Sequence, residues 1–183
     1  MRVTTMAGSH DLLAAERFLA AEPRIAGTFG RIEEAVAPLL RSMRATGRTT
    51  YATDPERGAV WGHAFLRPPY APDAAAEWFL AWGLRFPDGG TGWDGADPPL
   101  PRGVHAVVAL GAGGEPQRRP RSPPNARLPR GWSALDGEAA FLAAGLPLEE
   151  LPAEPDATAE ALAAWTLARL EDLRAALPDL ATS

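Results

Sequence analysis

From residue 48 to residue 110 the chain shows four segments of strand character with no helical pattern between them. Residues 48–53 are β-branched or aromatic at most positions. Asp54-Pro55-Glu56-Arg57-Gly58 is a turn, because proline presets one dihedral and glycine supplies positive φ. Residues 59–66 follow, so the pair reads as a hairpin. Residues 77–86 place Trp78, Leu80, Trp82, Leu84 and Phe86 on one face. Residues 103–110 place Val104, Val108 and Leu110 on one face and Val107 on the other. Strands joined by hairpin-like connections form an antiparallel meander, whereas parallel neighbours need long crossovers. The expected fold is therefore α+β, with a four-stranded, mainly antiparallel meander sheet. Val60 and Leu66 alternate with Trp61 and Phe65, so both faces of this sheet have something to bury. Helices are expected on at least one face, and loops or a partner on the other.

The flanking segments have helical spacing. Ser9 can cap a first helix carrying Leu12, Leu13, Phe18 and Leu19, with Pro23 just past its end. Residues 31–43 carry Ile32, Val36, Leu39, Leu40 and Met43 at helical intervals, and Pro38 predicts a kink or a break near Ala37. Residues 136–144 read as a short helix stopped by Gly145. The last helix starts at Pro155, Asp156 and Thr158 and ends at Pro178. Leu162, Leu167, Leu170, Leu173 and Leu177 form its stripe, with Trp165 at the edge. Residues 1–8 read as a frayed tail. The N- and C-terminal helices are expected to pack on the sheet in one α+β domain over residues 1–183. Two long irregular segments, 87–102 and 111–130, flank the fourth strand. Such segments are uncommon in compact domains and are usually functional or disordered.

Composition removes several chemistries. The chain has no Cys, which excludes disulfides, thiolate metal sites and a Cys nucleophile. All 18 basic residues are Arg, so no Walker lysine or Schiff-base lysine exists. A net charge of −5 argues against a chain that binds nucleic acid or membrane over its whole surface. No apolar run approaches the roughly 18 residues of a membrane span, and the N-terminus lacks a secretory apolar region. Cytoplasm is the expected compartment. No cofactor or bound metal is implied.

The chemistry-bearing candidates are sparse. His63 and His105 fall on the second and fourth strands. Glu77 and Arg85 fall on the third, on the face opposite Trp78 and Trp82. If the strands are neighbours in register, His63, Glu77 and His105 form a candidate catalytic face for metal-assisted or acid–base work. A lone histidine on an apolar strand is more often structural. Gly131-Trp132-Ser133 begins like a nucleophile elbow, but the second glycine and the preceding strand are missing, and Ser133 reads as a helix cap. Asp88, Asp94 and Asp97 fit turn chemistry better than a calcium loop. Arg118, Arg119 and Arg121 are interleaved with prolines in an extended stretch. This stretch can grip an acidic partner, although it lacks the aromatics of a single-strand nucleic-acid platform. Trp93 and Trp132 lie in irregular segments and are candidate partner anchors, or plugs over a sheet face.

The leading functional reading is a non-enzymatic binding or adaptor domain. It contacts a protein partner or small ligand through its long loops, with Trp93, Trp132, Arg118, Arg119 and Arg121 as contact residues. The second is a metal-assisted or acid–base hydrolase using His63, Glu77 and His105. The third is nucleic-acid binding through the Arg-rich loop.

Overall fold

A computed structural model describes residues 9–54, 59–66, 78–85, 104–112, 129–135 and 141–176. Helix α1 spans Ser9–Ser42. Strands follow at β1 (Thr46–Asp54), β2 (Ala59–Leu66), β3 (Trp78–Arg85), β4 (His105–Ala112), β5 (Ser133–Leu135) and β6 (Phe141–Pro147). A 3-10 turn at Leu148–Glu150 leads into helix α2 (Pro155–Ala176). The fold is α+β, with an antiparallel sheet ordered β1-β2-β3-β4-β6-β5.

The first four strands form the expected meander. The sheet is larger than four strands because residues 141–147 are strand, not helix. A short run of Phe, Leu and Ala fits either state, and the open edge of β4 decides it: β6 pairs with β4 from Leu110↔Leu142 to His105↔Pro147. Strand β5 closes the outer edge against β6. Ser133 therefore opens a strand and caps no helix. Before it, Trp132 N–H donates to Pro129 O at 3.1 Å, and Gly131 has φ +84°. That turn requires a residue tolerating positive φ at its third position, which glycine supplies.

The two expected N-terminal helices are one. Pro23 and Pro38 both lie inside the 34-residue α1. Each removes one N–H and leaves the carbonyl four residues earlier unpaired. Those carbonyls belong to Leu19 and Glu34, which are exposed, as are both prolines. Water can satisfy the lost bonds on that side. On the opposite side Phe29, Ile32, Val36, Leu39, Leu40 and Met43 are all buried, so one apolar stripe runs unbroken past Pro38.

Both helices cover the same face of the sheet. Val60, Ala64 and Leu66 of β2, Leu80 and Trp82 of β3, and Ala106, Val108 and Leu110 of β4 join the α1 stripe in one core. From α2 come Leu162, Ala163, Leu170 and Leu173, while Trp165 and Leu167 are only partly buried against it. Thus the expected α2 stripe is rotated slightly toward Ala159, Ala163 and Thr166. Leu177 lies outside the described residues. The end of α1 is tied to α2 by Arg174, whose Nη1 donates to Ser42 Oγ at 3.2 Å.

The core makes a specific stability prediction. Leu173 is fully buried, and truncation of such a leucine costs about 2–5 kcal/mol. Leu19, at 65% exposure, has little to lose. Urea unfolding should therefore show a large loss for Leu173→Ala and almost none for Leu19→Ala. Equal losses in the two variants would contradict this core.

Candidate functional site on the outer face of the sheet

The face turned away from the helices is set by strand alternation. On β2 it carries Trp61, His63 and Phe65. Register continues it across the sheet: Trp61 pairs with Gly83, His63 with Ala81 and Phe65 with Phe79. Those residues in turn pair with Val107, Ala109 and Gly111 of β4. The result is a row of rings on β2, with small residues at most positions beside it.

The rings touch one another. Trp61 and His63 stack with centroids 4.7 Å apart at an interplanar angle of 28°. His63 meets Phe65 edge-on at 5.1 Å and 84°. Trp61, His63, Phe65 and Phe79 are each half-buried, whereas Ala81 and Ala109 are buried. Gly83 is what allows β2 so close to β3 at Trp61. A Cβ there would collide with the Val60 carbonyl oxygen and lie 2.7 Å from Trp61 Cα.

His63 sits in an apolar setting. Its Nδ1 is buried and has no hydrogen-bond partner among the described residues. Burial pushes its pKa below the ordinary imidazole value, so the neutral ring is favoured. A neutral imidazole between two aromatic rings presents a flat, weakly polar surface.

The other sequence candidates fall in different places. His105 shares the outer face with His63, and it is 3% exposed. Register separates the two, however. His63 is level with Ala81 and Ala109, whereas His105 pairs with Arg85 at the end of the strands. Two strand spacings and four residue rises put their Cα atoms about 16 Å apart, beyond what two imidazoles bridge at one ion. Among the described residues, no group of three His, Asp or Glu side chains is placed to hold a metal. Trp132 is 7% exposed and belongs to the helix-side core. Glu77, Trp93, Arg118, Arg119 and Arg121 lie outside the described residues.

Phe79 is the member of this face that sequence reading passed over. Its signal was present, because it alternates with Leu80 on a strand whose other face was already assigned to the core. No helix among the described residues is long and apolar enough to cross a membrane. Comparison with protein-family models, with curated proteins and with solved structures finds no match.

The lowered His63 pKa has a testable sign. Its pKa returns to the ordinary value of about 6.5 on unfolding. As the pH falls below that value, the unfolded chain takes up a proton that the folded chain resists, and stability is lost until the folded pKa is passed. Melting midpoints at pH 7.5 and pH 5.5 should differ less in His63→Phe than in the wild type. The same pH dependence in both proteins would show that His63 is not the group responsible.

Proposed function

We propose that this protein is a non-enzymatic binding domain that holds a protein partner against the outer face of its sheet. The observation that carries the reading is the contiguous row Trp61–His63–Phe65, half-exposed on a rigid strand. Aromatic side chains presented this way lose little conformational entropy on binding and dominate the energetics of protein interfaces. His63 supports the same reading, because burial holds it neutral and it adds polarisable surface without a charge to desolvate. The distance between His63 and His105 weighs against a shared catalytic centre.

Segments 86–103 and 113–128 enter and leave β4 at opposite ends of the sheet. In this proposal Trp93, Arg118, Arg119 and Arg121 of these segments are further contact residues. An acidic rim on the partner would suit the arginines, which bind carboxylates through a planar fork.

A comparison of wild type with a Trp61→Ser/Phe65→Ser variant tests this. The wild type should capture a protein partner that the double variant loses. With the purified partner, the affinity should fall at least tenfold and the binding heat capacity of the wild type should be negative, the mark of buried apolar surface. Circular dichroism confirms that the variant is folded. Undiminished binding by the variant, or capture abolished by nuclease treatment, would overturn the reading. Coupled titration of His63 and His105 in the presence of zinc would favour the hydrolase instead.

A further inference from the structure

A second concavity lies on the other side of the sheet, between the two helices. It has a volume of about 210 Å³, opens to solvent, and is bounded by α1, the β3–β4 pair, the Leu148–Leu151 turn and α2. Its deep wall is Phe29, Ile32, Ala106, Leu162 and Thr166, all buried. Its mouth is made by half-buried Ile25, Thr28, Leu148, Leu151 and Thr158, with Pro152 exposed at the rim. The cavity has a simple origin. Ala106 occupies an inward position of β4 where Val108 and Leu110 stand further along, so the floor is lower here by the missing side-chain volume.

The lining decides what can enter. None of its described lining residues is charged. A carboxylate, phosphate or ammonium would be desolvated here with nothing to pair it, at a cost that excludes it. The polar groups are threonines, and two have their protons committed. Thr28 Oγ1 donates to Arg24 O at 3.1 Å. Thr158 Oγ1 lies 2.6 Å from Pro152 O and 2.8 Å from Glu154 O, sharing its one proton between them. What either can still offer is a methyl group or an acceptor oxygen. Size narrows the choice further. Apolar cavities of about 150 Å³ take up benzene, so this one has room for a fused bicyclic ring.

We propose that this cavity is a binding site for a neutral, compact aromatic molecule of bicyclic size, carrying at most one N–H or O–H donor. The site stands on the helix side of the sheet and does not depend on the partner face. Indole is the probe that matches its volume, its neutrality and its acceptor oxygens.

Methyl NMR on the intact protein tests the proposal. Indole should shift the Ile25, Ile32 and Leu162 methyl signals saturably, with a submillimolar dissociation constant. Benzoate, an anion that fits by size, should bind at least tenfold more weakly. Ala106→Leu fills the floor and should abolish the indole shifts. Because that position is buried, Leu151→Trp at the half-buried mouth, where the side chain packs on the core only in part, provides a second block, and circular dichroism checks that it folds. Absence of saturable indole shifts in the wild type would overturn the site. Equal binding of benzoate would overturn its selectivity for neutral ligands. Indole binding that survives in a folded Leu151→Trp protein would place the ligand elsewhere.

Discussion

Trp82 is the largest fully buried side chain among the described residues, and it fits only because Gly62 has no side chain. A Cβ on Gly62 would stand 2.7 Å from the indole Nε1, 2.9 Å from Cε2 and 2.7 Å from the carbonyl oxygen of Thr50. Three strands thus converge on one missing methyl group. Trp82 and Gly62 are register partners, so the fit locks β2 to β3. The Thr50 carbonyl comes near because β1 is irregular between Thr49 and Ala52. The same stretch of β1 meets α1. Thr50 Oγ1 donates to the Glu33 carboxylate, and Tyr51 meets Phe29 with ring centroids 5.3 Å apart. The Tyr51 hydroxyl is buried, and burial followed by the charge of Glu22 raises its pKa. The indole ring, the glycine opposite it and the strand that meets α1 thus lie in one connected patch of packing.

Much of this was readable from residue patterns. Alternation placed Leu80 and Trp82 on the inner face and His63 with Trp61 and Phe65 on the outer one. Helical spacing found Ile32, Val36, Leu39, Leu40 and Met43. Register was not readable, since it depends on how many residues each connection absorbs and on the irregularity in β1. The distance between His63 and His105 follows entirely from register. Two other features were decided by tertiary context. Pro23 and Pro38 are breakers by local rule, yet each sits on the solvent side, where a lost hydrogen bond is replaced by water. Residues 136–144 read as a helix ended by Gly145, but pairing with the edge of β4 makes Phe141–Pro147 a strand. The cavity was invisible because it reflects a small side chain at Ala106, and no single position announces a void.

The two faces of the sheet are built on different principles. The inner one is filled by large aliphatic side chains from strands and helices, as expected of close packing. The outer one sets small residues, Ala81, Gly83, Ala109 and Gly111, beside rings concentrated on β2 and at Phe79. The first arrangement holds the fold together. The second leaves aromatic surface in part exposed on β2, a strand whose other face is packed in the core.

Strand order carries a last consequence, for synthesis. Strand β4 is buried from His105 through Gly111, but one of its edges is completed only by β6, which ends at Pro147. Between these two strands the chain first lays down β5, on the far side of the place that β6 will fill. A nascent chain that has emerged only as far as β5 has an apolar strand with an unpaired edge and no covering helix α2. Such edges template pairing with other chains. The final quarter of the sequence thus supplies both the partner strand and the covering helix that β4 lacks until then.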